Sequence, residues 1–118
     1  MQPLLLMLLG TYDCYKIGLT QGGRYMSDKL KPTEIPIYLK TVKGWKKKGN
    51  TIYRYFEFPT FADSIKFTRK VAKLADKMDH HPDILIQYNW VTLTLSSHDV
   101  KGLSKRDFKL AGHINTLL

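Results

Sequence analysis

The stretch Ile84–Ser97, ILIQYNWVTLTLSS, constrains this chain more than any other. β-Branched, aromatic and apolar residues dominate it, and such residues suit a pleated, half-buried surface. One parity carries Ile84, Ile86, Tyr88 and Trp90. The other carries Leu85, Val91, Leu93 and Leu95, with Gln87 and Asn89. The run is either one long strand bent at Gln87-Tyr88-Asn89 or two strands joined by a turn there. Either way it anchors a sheet whose apolar side has to be covered.

Helices supply the cover. Phe61, Ile65, Phe67, Val71, Leu74, Ala75 and Met78 recur near helical spacing, with Lys66, Arg69, Lys70, Lys73 and Lys77 on the other side. Phe61–Met78 is therefore an amphipathic helix whose apolar stripe is core. Pro59 stops the segment before it, and Thr60-x-x-Asp63 is a variant of the capping box. Thr51–Phe58, TIYRYFEF, reads as a strand in a hairpin with the Trp45–Lys48 stretch, turning at Gly49-Asn50. Upstream, Thr33 caps a helix running to about Val42, with Pro36 in its first turn and Gly44 at its end. Downstream, Gly102 breaks the chain, Ser104-x-x-Asp107 repeats the capping pattern, and Phe108–Leu117 closes as a helix. Short strands with segregated helices predict an α+β fold: an antiparallel sheet with helices on one face.

The length of 118 residues allows one domain. The expected boundaries are an N-terminal extension or leader over residues 1–25, dispensable to the fold, and a domain over 26–118. Met1–Gly10 is apolar but shorter than the ~18 residues a spanning helix needs. It also lacks a basic stretch or a small-residue cleavage site, so no membrane association is expected. Cys14 is the only cysteine, which excludes an intrachain disulfide and a cysteine-based zinc site. A reducing, cytoplasmic setting fits.

The net charge of +9 favours anionic partners in general. Lys43, Lys46, Lys47 and Lys48 lie near aromatic strands, as in several single-strand binders. No nucleic-acid signature accompanies them, so a solvated hairpin flank is expected and a nucleic-acid partner is not.

The chemistry-bearing residues are histidines. His80-His81-Pro82 follows the long helix, and His98 follows the Ile84–Ser97 run. A chain that goes out and back through that run brings both ends to one rim. Imidazole, with its ordinary pKa of ~6.5, both gives and takes protons near neutrality. The bland alternatives are a helix terminus favoured by the dipole and solvent-facing loop histidines. A metal site is the competing chemistry, with Asp76, Asp79 or Asp107 as oxygen ligands, but none is expected. Asp76 lies one helical turn before His80, and Asp107 caps a helix while still able to face an imidazole. His113, inside the last helix, reads as surface or packing.

These residues form a recognisable constellation. Asp76-x-x-x-His80-His81-Pro82, Tyr88, Ser96-Ser97-His98-Asp99 and Gly102-Leu103-Ser104-x-x-Asp107 together resemble the pterin-4a-carbinolamine dehydratase family, in order and in spacing. A helix leading to Gly44-Trp45, the Phe56-x-Phe58 strand and Phe61-Ala62 agree. The resemblance covers roughly residues 28 to 118. It implies a four-stranded antiparallel sheet with three helices packed on one face, and assembly as a homodimer or homotetramer. It implies a lyase that dehydrates 4a-hydroxytetrahydropterin to quinonoid dihydropterin in cofactor recycling, without metal or other cofactor. His80 and His98 would be the acid/base pair and His81 a catalytic and pterin-binding residue. Asp79, Ser96, Ser97 and Asp99 would flank these histidines and bind the pterin together with His80, His81 and His98, with Asp76 and Asp107 in support. Some members of the family also serve as protein-binding modules, so a protein partner is the alternative role.

Overall fold

The computed structural model describes residues 28–118. The expectations for residues 1–25 and for Cys14 lie outside the described residues. The sheet has four antiparallel strands in the order β1-β2-β4-β3: β1 (Lys46–Lys48), β2 (Thr51–Glu57), β3 (Asp83–Gln87) and β4 (Trp90–Leu95). Three helices, α1 (Ile35–Leu39), α2 (Phe61–Met78) and α3 (Lys105–Asn115), complete the α+β fold.

Register decides which side chains are core. Ile52, Arg54 and Phe56 of β2 stand opposite Leu95, Leu93 and Val91 of β4. Ile52, Val91, Leu93 and Leu95 are fully buried beneath Val71 of α2 and Leu110 and Ile114 of α3. Because side chains alternate, the other parity of the same strands faces away from the helices. Tyr55, Leu85 and Trp90 are accordingly exposed.

The Ile84–Ser97 run resolves into two strands. Gln87 pairs with Trp90, leaving Tyr88-Asn89 as a two-residue turn, and Tyr88 takes the left-handed conformation with φ 56. The turn is tied down from two sides. Ser64 Oγ donates to the Tyr88 carbonyl at 3.0 Å, and Asn89 Nδ2 donates to the Phe58 carbonyl at 2.7 Å. The Gly49-Asn50 hairpin forms as expected, with Lys48 opposite Thr51 and Gly49 at φ 59.

Three local expectations are corrected. The first helix is five residues long and begins at Ile35, with Glu34 and not Thr33 at its cap. Glu34 Oε1 accepts from the Lys31 amide at 2.8 Å, and the hydroxyl of β-branched Thr41 bonds back to the Tyr38 carbonyl, so the chain beyond Leu39 runs in turns. Phe61 and Ile65 lie off the buried face of α2, which is Ser64, Phe67, Val71 and Ala75, and are 52% and 38% exposed. The last helix starts at Lys105, since the Ser104 capping box nucleates it one turn earlier than the apolar pattern suggests.

Candidate active site

The end of α2 delivers His80. Asp79 adopts the left-handed conformation at φ 50, and the amides of Asp79 and His80 donate to the carbonyls of Asp76 and Ala75. This is a Schellman closure, and it satisfies the last helical carbonyls while turning the chain. His80 comes out buried, whereas Asp79 and His81 on either side are exposed. Asp83 opens β3 opposite Thr94, so His80 and His81 sit at the same end of the sheet as Ser96 and Ser97, which follow β4.

His98 is held by a tight loop. The Ser97 amide donates to the Gly102 carbonyl at 2.8 Å and the Gly102 amide returns a bond to Ser97 at 3.2 Å. Between them His98–Val100 forms one 3₁₀ turn, closed by Lys101 at φ 51. The His98 ring is exposed and carries no side-chain hydrogen bond among the described residues. Beside it, Asn50, Thr51, Ser96 and Gly102 line a shallow recess of about 260 Å³.

Asp107 joins the two ends. Its Oδ1 lies 2.6 Å from His80 Nε2. Its Oδ2 accepts from Ser97 Oγ at 2.8 Å and from the Ser104 amide at 2.9 Å. Ser97 Oγ and Ser104 Oγ are 2.6 Å apart. Asp107, Ser97 and Ser104 are 0–1% exposed, so this network sits out of water, where a carboxylate is tolerated only with its lone pairs engaged. The last helix thus supplies one residue that both caps it and grips an imidazole.

The other supporting acid behaves differently. Asp76 Oδ1 lies 2.9 Å from Nε2 of His81, not from His80, and both groups are mostly exposed. The helix closure explains the choice: the left-handed Asp79 turns the buried His80 away from the outer face of α2.

Asp99 is committed elsewhere. Both of its oxygens accept from Arg106 Nη2, at 2.9 and 3.0 Å, and the same guanidinium bonds both oxygens of Asp28. Burial works against the Arg106 charge, but the hydrogen bonds and charges of Asp28 and Asp99 outweigh it and hold the guanidinium above its ordinary value. Arg106 escapes a reading of the sequence. It looks like another lysine-rich surface cation, and its link to Asp28 spans 78 positions.

The residues brought together are therefore His80, Asp107, Ser97 and Ser104, with His98 and Ser96 on the adjoining loop. Among the described residues no group of three or more His, Cys, Asp or Glu side chains is placed to hold a metal ion. No described helix is long and apolar enough to cross a membrane. A larger recess of about 310 Å³, lined by Phe58, Phe67 and Leu117, opens at the start of α2. No imidazole lines it.

Comparison with known proteins agrees on one family. Residues 28–117 match the sequence profile of the family described as Pterin 4 alpha carbinolamine dehydratase. A protein of Sulfolobus acidocaldarius named "Putative pterin-4-alpha-carbinolamine dehydratase" is 42% identical over 89 residues, which is 75% of this chain and 98% of that protein. One of the same name from Koribacter versatilis is 45% identical over 92 residues, 78% of this chain and 98% of the relative. The crystal structure of a Brucella melitensis protein titled "transcriptional coactivator/pterin dehydratase" superimposes with a TM-score of 0.72 at 33% identity, covering 75% of this chain and 97% of that one. A pterin dehydratase-like protein described as a RuBisCO assembly factor shares the fold at a TM-score of 0.52 and 20% identity, covering 62% and 84%.

Proposed function

The chain belongs to the pterin 4 alpha carbinolamine dehydratase family, and we propose that it is a working lyase. Its reaction is the loss of water from 4a-hydroxytetrahydropterin to give quinonoid dihydropterin, in tetrahydrobiopterin recycling. The reaction breaks the C4a–O bond and forms the C4a=N5 double bond, with no net redox change. It needs a proton delivered to the leaving hydroxyl and a proton taken from N5. Two imidazoles flanking the bond supply both transfers.

His80 and His98 are that pair. Which one acts as acid depends on the face of the pterin that bears the hydroxyl. His81, open to solvent and steadied by Asp76, engages the pterin. Asp79 and Ser96 offer polar groups to its N–H and C=O edge. Ser97 and Asp99 act through their backbone and neighbours, since Asp107 and Arg106 already occupy their side chains. The observation that carries the reading is the 2.6 Å contact of buried Asp107 with His80. Asp107 both caps its helix and fixes the ring of a histidine that stands at the same end of the sheet as His98.

The test is whether the purified protein accelerates dehydration of a 4a-hydroxypterin generated in situ, above the uncatalysed background. Acceleration supports the reading; a folded protein that leaves the background rate unchanged contradicts it.

One observation favours a second role in binding another protein or a further copy. β3 is an edge strand, and its Ile84 and Leu85 are 38% and 53% exposed. Unpaired edges with apolar side chains are pairing surfaces. Homodimers or homotetramers formed there are compatible with catalysis, because the histidines lie beyond the strand end. Capture of a partner without dehydratase activity would put this role first.

A further inference from the structure

The hydroxyls of Ser97 and Ser104 are more than filler between two helix ends. Ser104 Oγ accepts from the Arg106 amide at 3.2 Å, so its own proton is free to point elsewhere. Ser97 Oγ lies 2.6 Å away and also 2.8 Å from Asp107 Oδ2. Two proton orders are conceivable. In one, Ser104 donates to Ser97 and Ser97 donates to Asp107. In the other, Ser97 donates to Ser104 and must accept from a protonated Asp107. The first is the order in which Ser97 Oγ donates to Oδ2, and it leaves the carboxylate accepting from Ser97, from the Ser104 amide at 2.9 Å and from the imidazole at 2.6 Å; the second would give up that charge-assisted set. The order is therefore one-way: Arg106 amide to Ser104, Ser104 to Ser97, Ser97 to Asp107.

That order reaches the imidazole. With Oδ2 held as an acceptor of two donors, Oδ1 is left as a bare carboxylate oxygen 2.6 Å from His80 Nε2. Only a ring N–H can face it. We propose that Ser97 and Ser104 are positioning residues that lock neutral His80 as its Nε2–H tautomer and so present Nδ1 as the atom that exchanges protons with the substrate. Nδ1 has no hydrogen-bond partner among the described residues. This deepens the dehydratase reading and rests on it for the identity of the substrate, but not for the tautomer.

The experiment is ¹⁵N NMR of the histidine rings in the full chain, at a pH where the imidazoles are neutral, combined with steady-state dehydration kinetics. The wild type should show His80 as a single Nε2–H tautomer with a slowly exchanging ring proton. Ser97→Ala leaves Oδ2 with the Ser104 amide alone and frees the carboxylate to turn away from Nε2; it should give a mixed tautomer and a kcat about tenfold to hundredfold lower, as when the partner orienting an imidazole is lost, with KM within about twofold. Ser97→Cys, near in size and a weak donor, should fall between and guards against a variant that fails to fold. An Nδ1–H tautomer in the wild type would overturn the proposal, as would Ser97→Ala spectra unchanged from wild type. A wild type without dehydratase activity, but with the Nε2–H tautomer lost in Ser97→Ala, would support the relay and remove the dehydratase reading.

Discussion

Asp107 Oδ1 lies 2.6 Å from His80 Nε2 across 27 positions of sequence, and the carboxylate is fully buried. Its other oxygen takes two more donors, the Ser97 hydroxyl and the Ser104 amide. One side chain thus closes a helix start, ties down the loop that bears His98 and orients His80. Asp107→Asn replaces one acceptor by an NH₂ group. With its oxygen kept toward the Ser97 hydroxyl and the Ser104 amide, the Asn NH₂ faces His80 Nε2, which must then accept, so the ring is driven to the opposite tautomer. The variant should lose about 1 kcal/mol of stability, the difference between charge-assisted and neutral hydrogen bonds. It should also lose at least ~10²-fold in kcat, on the scale of general acid–base catalysis. Denaturant titration and steady-state kinetics on the same sample check both.

His81 and Asp76 form the contrasting pair. Their side chains are 57% and 78% exposed, so their contact adds little to stability. His81→Ala should leave the melting temperature nearly unchanged and raise KM about tenfold, the equivalent of one good polar contact. A lost kcat with an unchanged KM would exchange the roles assigned to His81 and His98.

Much of this architecture is legible in the sequence for identifiable reasons. α2 is announced by Thr60, by a sustained apolar stripe and by the chain turning past Met78. The Ser104 cap and its Asp107 partner are local and readable. What escapes is what depends on distant chain. Arg106 gains its meaning only when Asp28 and the 98–100 turn arrive beside it. The buried face of α2 also departs from the apolar stripe at Phe61 and Ile65, because periodicity locates a stripe but not the width of the sheet it meets.

The β3–β4 turn is the site where local chemistry and fold disagree. Tyr88 sits at φ 56 with its side chain 70% exposed, where glycine is the ordinary choice. The left-handed conformation costs an L-residue about 1–2 kcal/mol, and glycine costs about 0.5–1 kcal/mol in unfolded-chain entropy. Tyr88→Gly should therefore stabilise the protein by roughly 0.5–1 kcal/mol, read as a higher denaturant midpoint at constant slope. The Ser64 bond survives, because it is made to the backbone carbonyl. A lower midpoint would mean that the exposed ring is contacting something that covers this end of the sheet.

The described core begins at Leu30. Leu30, the first buried apolar residue described, pairs its amide with the Leu103 carbonyl at 2.9 Å, and Asp28 is held by Arg106. A chain beginning at Met26 keeps both contacts. Its melting temperature should match the full chain within about 2 °C, less than ~0.5 kcal/mol for a domain of this size. A collapse of the transition would show that residues 1–25 are part of the fold.

The most direct measurement is the dehydration rate of a 4a-hydroxypterin, followed optically, for the wild type and for His80→Ala/His98→Ala. Both proteins should bind a dihydropterin, and only the wild type should accelerate the elimination, by removing a proton at N5 and delivering one to the leaving hydroxyl. Equal rates for the two proteins, with both folded and both saturated, would contradict the assignment of these histidines and the lyase that rests on them.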